Sequence, residues 1–162
     1  MGQEITVGAN IPDVSLKIMG DNGMEVISTA ALFAGKTSLL FAVPGAFTPT
    51  CSQKHLPGYV NNFEQLKAKG IEQVICLSVN DPFVMQEWAK QGGADGKIVM
   101  LADGNATFTE SLGLAFDSSA HGMGKRARRF AMVVKNGVVT DLQIEAPGSF
   151  EVSGADPMIC RL

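Results

Sequence analysis

Two nearly continuous apolar runs, separated by a helical stretch, constrain the fold of this chain most. The runs cover residues 37–43 (TSLLFAV) and 72–79 (EQVICLSV), and such runs are typical of strands buried on both faces of a sheet. Between them, apolar residues recur at helical spacing over residues 50–69, and Gly70 follows as a stop signal. Strand, helix and strand in this order predict a βαβ unit at the centre of the fold.

The remaining segments extend this pattern on both sides. Asp81 and Pro82 form an N-cap and first-turn signature for a second long helix, and a third apolar run follows it. Two Asn-Gly pairs predict β-hairpins, with a type I′ turn expected for the first pair. The segments are hairpins turning at 22–23 and 136–137, a strand over 96–103, and short helices over 28–33, 107–112 and 153–161. We expect an α/β fold with a central mixed β-sheet flanked by helices, an N-terminal β-hairpin, and a single domain over 1–162.

Composition and charge disfavour several classes of function. A formal net charge of -3 gives no reason to expect nucleic acid or an acidic membrane as a partner. Three cysteines without a CxxC pair do not resemble a secreted disulfide framework, which favours a reducing compartment. No secretory signal is visible, and MGQEIT matches the N-myristoylation pattern at Gly2 only literally, because Glu4 is acidic and no polybasic patch follows. We expect a cytoplasmic protein, or the mature form of an organellar one.

Cys51 stands out because of its position just after the first buried strand, where α/β folds place ligand sites. Thr48 and Pro49 carry a helix-start signature, so Cys51 falls in the first helical turn. Free amides and the helix dipole stabilise a thiolate there, and Gly45 lets the backbone approach a small ligand closely. These residues leave two roles open for Cys51, a reactive thiolate and a buried packing thiol.

Two other features bear on the role of Cys51. His55 lies four residues after Cys51, which permits a shared metal site or a Cys-His dyad. A zinc site lacks further ligands at a recognisable spacing and a dyad lacks an orienting third group, so a polar helix residue is the more ordinary interpretation of His55. Arg129 ends a basic cluster, KRARR, directly before a predicted strand, from which its side chain can reach the same sheet end and stabilise an anion.

Four stretches of the chain, in order and at sensible spacing, resemble those of type II peroxiredoxins. PGAFTPTCS, continuing as QKHLPGY, is similar to the active-site segment of that class, whose Pro-x-x-x-Thr-x-x-Cys pattern is met by Pro44, Thr48 and Cys51. LSVNDPFVMQEWAK, MLADGNATF and RRFAMVV resemble further stretches of the same class. The resemblance covers essentially the whole chain.

This resemblance implies a thioredoxin-like fold and a thiol-dependent peroxidase that reduces hydrogen peroxide and organic hydroperoxides without a metal or organic cofactor. It implies that Cys51 is the peroxidatic cysteine and passes through a sulfenic acid. It further implies that Thr48 holds the thiolate and substrate, that Pro44 shields the thiolate, and that Arg129 is the catalytic arginine. Backbone amides near Gly45 and Cys51 are expected to bind the substrate with them.

The resemblance implies less about how oxidised Cys51 is regenerated. Animal members carry a resolving cysteine near the C-terminus, but the matching stretch here, FEVSGAD, has none, and Cys160 lies several residues later. Cys76 matches a second cysteine of plant-type members, although its mid-strand position favours a buried thiol. We expect glutathione with glutaredoxin, or thioredoxin, to reduce Cys51, with Cys76 as an optional resolving partner. The resemblance also implies a homodimer, with Phe47 and Trp88 as candidate contributors.

Two other functions remain to be compared with a peroxidase. A disulfide reductase of the thioredoxin type needs a resolving thiol close to its nucleophile, and the missing CxxC pair disfavours it. A non-enzymatic redox sensor would need only that oxidation of Cys51 changes the choice of partner.

Overall fold

A mixed five-stranded sheet forms the centre of the computed structural model, which describes residues 3–162. The strands are β1 (Ser15–Gly20), β2 (Gly23–Ser28), β3 (Thr37–Ala42), β4 (Gln73–Ser78), β5 (Ile98–Ala102), β6 (Ala115–Asp117), β7 (Lys125–Ala127), β8 (Phe130–Lys135) and β9 (Val138–Ile144). The helices are α1 (Thr29–Phe33), α2 (Leu56–Asn61), α3 (Phe63–Ala68), α4 (Pro82–Gly92), α5 (Thr107–Ser111) and α6 (Ala155–Ile159). In the sheet, strands lie in the order β5-β4-β3-β8-β9. β3, β4 and β5 run parallel, whereas β8 is antiparallel to both β3 and β9.

Strand β3 lies in the middle of this sheet, and its side chains alternate between two apolar cores. Leu39 and Phe41 face the core beneath α2, α3, α4 and α6, while Leu40 and Ala42 face the core beneath α1 and α5. All four are fully buried. The continuous apolar run therefore follows from burial on both faces, and the predicted mixed sheet flanked by helices is confirmed.

Both predicted hairpins are present, but their turns differ. At the second, Asn136 and Gly137 have φ angles of 47° and 80°, as a type I′ turn requires. At the first, Gly20 pairs with Gly23, so Asp21 and Asn22 occupy the turn. Gly23 has a positive φ of 106°, whereas neither Asp21 nor Asn22 has a positive φ. The expected type I′ turn is wrong there, because the pairing register moves the glycine out of the turn centre and onto the strand.

The single helix expected over residues 50–69 is divided into three segments. A π-helical turn spans Cys51–His55, and the amide of Leu56 donates to the carbonyl of Cys51 to close it. Asn62 then separates α2 from α3, with a φ of −105° and its side-chain amide donating to the Gly58 carbonyl at 2.8 Å. The wider π turn keeps Cys51 and His55 on the side that faces the sheet, and both are fully buried.

The basic cluster KRARR contains a short strand that the sequence did not indicate. Its first three residues form β7, which pairs antiparallel with β6 in a small separate hairpin. Strands of three residues are too short for an alternating pattern to show them in a sequence. Within residues 3–162, no helix is long and apolar enough to cross a membrane; Gly2 of the N-myristoylation pattern lies outside the described residues.

Candidate active site

Cys51 opens the π-helical turn that follows β3 and its connecting loop. The amide of Ser52 donates to the carbonyl of Thr48 at 2.9 Å, so the helical backbone begins there and Cys51 is the third residue, as the Thr48-Pro49 signature predicts. The Cys51 side chain is fully buried in the same core as Phe41. The first turn thus presents a thiol to a dry region at the positive end of a helical segment.

Arg129 reaches this thiol from the residue just before β8, the strand beside β3. Its Nη2 atom donates to the Cys51 Sγ at 3.1 Å. The antiparallel register of β3 and β8 pairs Ala42 with Phe130, which brings the residue before Phe130 level with the end of β3. The sulfur of Cys51 therefore has a charged hydrogen-bond donor directly beside it.

The other basic residues of the cluster have different partners. Lys125 pairs with Glu110, and Arg128 contacts Glu4 at 3.2 Å between Nη1 and Oε2. The Arg126 side chain donates to backbone carbonyls, including that of Val79 at 3.2 Å. In the part of the chain that the structure describes, Arg129 is the member of the cluster that contacts Cys51.

His55 is a polar residue of this helical segment, and both of its ring nitrogens have specific partners. It is fully buried, its Nδ1 accepts from the Arg129 Nη1 at 2.7 Å, and its Nε2 donates to the Ser153 carbonyl at 3.0 Å. Because a guanidinium only donates, the ring proton must lie on Nε2. Burial, and then the charge of Arg129, lower the pKa of His55 to about 3, so the ring is neutral at physiological pH.

This arrangement bears on the two other roles considered for His55. Its Nδ1 is engaged with Arg129 and not with Cys51, which leaves no direct Cys-His hydrogen bond between these two residues. Among residues 3–162, no group of three or more histidine, cysteine or acidic side chains lies close enough together to hold a metal ion.

The loop before Cys51 is held by short internal contacts. The Thr48 hydroxyl donates to the Gly45 carbonyl at 2.7 Å, which leaves the lone pairs of its oxygen free to accept. A Cβ at Gly45 would lie 3.2 Å from both the Arg126 Nη1 and the Thr48 Cγ2. A side chain at Gly45 would therefore press on the side chains of Arg126 and Thr48, in addition to restricting the ligand approach expected of this glycine.

An open cleft of about 640 Å³ lies beside Arg129. Its lining includes Pro44, Thr50, Lys54, Phe116, Arg129 and Phe150. The centroid of the Phe150 ring lies 5.7 Å from the Arg129 guanidinium carbon and 4.9 Å from the centroid of the His55 ring. The cleft thus gives a small molecule a route to the guanidinium along a wall that is partly aromatic and partly cationic.

A buried carboxylate fixes the loop that forms one wall of this cleft. Glu145 accepts the backbone amides of residues 151, 152 and 153 and the Ser153 hydroxyl, the last at 2.6 Å. Burial opposes its charge, but these hydrogen bonds outweigh burial and lower the pKa of Glu145. The Ser153 carbonyl is thereby held towards His55 and also accepts from the Tyr59 hydroxyl at 2.6 Å. No local motif in the sequence marked Glu145 or Ser153.

The remaining cysteines lie in different surroundings. Cys76 is fully buried in the middle of β4 beside Phe41, in agreement with its predicted mid-strand position. Burial, and then the nearby Cys51, raise the pKa of the Cys76 thiol. Cys160 is exposed after α6, and all three cysteines are free thiols.

The two residues considered for a dimer face also differ from each other. Phe47 is 46% exposed and has a positive φ of 65°, a conformation that is unusual for an aromatic residue. Trp88 is buried, and its Nε1 donates to the Ser52 hydroxyl at 2.9 Å. Trp88 therefore supports the helix that carries Cys51 from within, and of this pair Phe47 is the one that offers an exposed surface.

Comparisons with known proteins agree with one another. A model of the Redoxin family matches residues 6–159. Peroxiredoxin-2C of Oryza sativa subsp. japonica is 47% identical over 159 residues, which cover 98% of each chain, and Peroxiredoxin-2C of Arabidopsis thaliana is 44% identical over the same share. The solved structure of reduced Prx3 from Vibrio vulnificus in complex with H2O2 is 49% identical, covers 97% of this chain and 98% of its own, and superposes with a TM-score of 0.93.

Proposed function

Since the chain belongs to the Redoxin family as a peroxiredoxin, an oxidoreductase that reduces peroxides with a cysteine thiol, we propose that Cys51 is its peroxidatic residue. The observation that carries this assignment is the 3.1 Å contact between the Nη2 of the half-buried Arg129 and the Sγ of the fully buried Cys51. A thiolate is the nucleophilic form of cysteine, and a guanidinium beside it favours that form. The fold is the thioredoxin-like fold of this family, as expected.

The reaction is a displacement at a peroxide oxygen. The Cys51 thiolate attacks one oxygen in line with the O–O bond, so that an S–O bond forms while the O–O bond breaks. The departing oxygen leaves with the electron pair and takes up a proton, which gives water from hydrogen peroxide or an alcohol from an organic hydroperoxide. Cys51 is left as a sulfenic acid, and its sulfur is oxidised by two electrons.

Arg129 and Thr48 act on the two oxygens as charge moves between them. Arg129 donates to the attacked or departing oxygen while it stays close to the sulfur, which stabilises the developing charge in a dry site. The Thr48 hydroxyl donates to the Gly45 carbonyl, so its oxygen is oriented to accept the proton-bearing end of the peroxide. Backbone amides near Gly45 and Cys51 supply further donors at the start of the helix.

Pro44 has a shielding role in this proposal. It lies half-buried where the cleft meets the loop before Cys51, and its ring has no N–H to offer water or substrate. An apolar group at this point keeps bulk water from the thiolate and leaves the cleft as the path for the peroxide. Peroxide reaches the guanidinium along this path before it reaches the sulfur.

Regeneration is proposed to use an external thiol. Glutathione with glutaredoxin, or thioredoxin, attacks the sulfenic acid sulfur, which forms a mixed disulfide and releases water. A second thiol then displaces Cys51 as the free thiol and leaves the reductant as a disulfide. Cys76 is an optional resolving partner at most, because a bond to Cys51 requires the centre of β4 to leave the sheet. Full burial of Cys51 means that its helical turn must open for the reductant.

We also propose a cytoplasmic homodimer. The exposed Phe47 on the loop before Cys51 supports an association through the face that carries the active site. The free state of all three cysteines supports a reducing compartment. Sedimentation of the intact protein and of Phe47→Asp tests the dimer, which the variant is expected to weaken.

Peroxide consumption with each reductant tests the proposed activity. The intact protein is expected to turn over hydrogen peroxide and an organic hydroperoxide, whereas Cys51→Ser is expected to lose turnover. Cys160→Ser is the matched control, because Cys160 is exposed and lies after the last helix. Undiminished turnover in Cys51→Ser would remove the assignment. Reduction of insulin disulfides would indicate a thioredoxin-type reductase, and slow oxidation of Cys51 without turnover would indicate a sensor.

A further inference from the structure

We propose that His55 is a positioning residue for the peroxidatic site, which orients Arg129 towards Cys51 through its Nδ1 atom. The proposal rests on the assignment of Cys51 and Arg129 above and adds a residue that contacts neither the sulfur nor the peroxide. It starts from one guanidinium with two partners: Nη1 donates to the His55 Nδ1 at 2.7 Å, and Nη2 donates to the Cys51 Sγ at 3.1 Å.

The shape of a guanidinium makes these two contacts dependent on each other. Its three nitrogens lie in one rigid plane, so a partner that fixes Nη1 also sets the direction of Nη2. The neutral His55 ring supplies that partner as an acceptor. Loss of the acceptor would leave an N–H of the half-buried Arg129 without this partner, and Arg129 would turn to find another, such as water in the adjoining cleft.

The orientation of the His55 ring is itself fixed from the opposite side. Its Nε2 donates to the Ser153 carbonyl at 3.0 Å, and the loop that carries Ser153 is held by the Glu145 carboxylate. The Ser153 carbonyl also accepts from Tyr59, which limits its movement. Because Nε2 must carry the ring proton to donate to the carbonyl, Nδ1 is unprotonated and can accept a hydrogen bond from Arg129.

Charged and titratable groups around the ring favour its neutral form. Arg129 opposes a proton on His55, while the Glu145 carboxylate and the Ser153 carbonyl favour one, and burial outweighs both of them. Tyr59 and Cys76 are nearby groups whose own pKa values are raised by burial, so both are uncharged at neutral pH. The acceptor at Nδ1 is therefore present throughout the physiological range.

Simple packing does not account for this residue. Its ring lies among aromatic neighbours, 4.9 Å from the Phe41 ring and 4.9 Å from the Phe150 ring between centroids. An apolar side chain would fill such a space without two polar atoms that each need a partner. Both ring nitrogens have well-formed partners, and one of those partners is the group that contacts the sulfur.

Three substitutions at this position separate positioning from packing. His55→Asn keeps an acceptor near the place of Nδ1, His55→Gln keeps a donor near the place of Nε2, and His55→Leu removes both. The primary measurement is the pH dependence of Cys51 alkylation by iodoacetamide, which reports the thiolate and does not require peroxidase activity. The second is the rate constant for oxidation by hydrogen peroxide. Leu66→Ala is the control for lost stability, because Leu66 is buried in α3 in the same core.

The proposal predicts an order among these variants. In His55→Leu the alkylation midpoint is expected to move upward by about one pH unit, and oxidation by peroxide to slow by about 10- to 100-fold. His55→Asn is expected to recover most of both properties, and His55→Gln neither. Leu66→Ala should lower the melting temperature and leave the pH midpoint of Cys51 alkylation unchanged.

Two results would overturn it. An alkylation midpoint and peroxide rate in His55→Leu that match those of the intact protein would show that Arg129 is oriented without His55. Equal behaviour of the Asn and Gln variants would show that the acceptor at Nδ1 is not the property that matters. Failure of the peroxidase assignment itself would appear separately, as turnover that survives in Cys51→Ser, and the alkylation comparison stands in either case.

Discussion

Arg129 and Cys51 are 78 residues apart in the chain, yet the guanidinium Nη2 lies 3.1 Å from the cysteine Sγ. Two adjacent strands bring them together, since β3 leads into the loop before Cys51 and β8 begins directly after Arg129. The sheet register therefore sets the distance on which the chemistry depends.

Removal of the guanidinium is expected to slow the peroxide reaction strongly. Arg129→Ala should lower the rate constant for Cys51 oxidation by about 100- to 1000-fold, because a preorganised donor to the developing charge is lost. Arg129→Lys should recover only part, since an ammonium keeps the charge without the planar fork. Stopped-flow oxidation by hydrogen peroxide measures this. Lys125→Ala is the control, because Lys125 lies in the same basic cluster but pairs with Glu110. If Arg129→Ala were oxidised as fast as Lys125→Ala, the role of catalytic arginine would pass to Arg126 or Arg128.

The hydroxyl of Thr48 gives a second prediction. Thr48→Val removes the donor to the Gly45 carbonyl and the acceptor for the peroxide at nearly constant shape. We expect about a 10- to 100-fold slower reaction with peroxide, and nearly full activity in Thr48→Ser, which keeps the hydroxyl. A Thr48→Val variant that reacted as fast as the intact protein would show that the Thr48 hydroxyl takes no part in the reaction.

The buried position of Cys76 predicts a cycle that does not depend on it. After one equivalent of hydrogen peroxide, mass spectrometry of the intact protein should show the mass of one added oxygen, without the loss of two hydrogens that a Cys51–Cys76 disulfide would give. Cys76→Ala should keep turnover with glutathione and glutaredoxin. Loss of turnover in Cys76→Ala, but not in Cys160→Ser, would instead assign resolution to Cys76 and require β4 to open.

The lowered pKa of His55 predicts how the free energy of unfolding depends on pH. Its pKa is lowered to about 3 in the folded protein from 6.5, so the unfolded chain binds more protons between these two values. The free energy of unfolding should therefore fall as pH decreases below about 6.5, by up to about 1.4 kcal/mol per pH unit from this residue. Urea unfolding at several pH values measures the slope. His55→Asn should remove this component, whereas His121→Asn should keep it, because His121 is exposed; equal slopes in both variants would contradict the account.

The fold was predictable where burial leaves a regular pattern. The apolar runs of β3 and β4 and the Asp81-Pro82 start of α4 all appear as expected. The position of Cys51 in the first turn followed from the Thr48-Pro49 pair, and the reach of Arg129 followed from its place before a strand.

Other parts of the site could not be predicted, for physical reasons. The π turn that begins at Cys51 widens the helix locally without changing which residues are apolar. The spacing of apolar residues in the sequence therefore does not reveal it. The burial of His55 depends on the Ser153 carbonyl, 98 residues away, and that carbonyl depends on Glu145. Such contacts are set by the tertiary fold and leave no local spacing in the sequence.

Trapping of oxidised Cys51 tests most directly whether Cys51 is the cysteine that reacts with peroxide. The intact protein is mixed with one equivalent of hydrogen peroxide in the presence of dimedone, and the modified peptide is identified by mass spectrometry. We expect the sulfenic acid adduct on Cys51, and no peroxide consumption in Cys51→Ser. An adduct confined to Cys76 or Cys160, together with undiminished turnover in Cys51→Ser, would contradict the account.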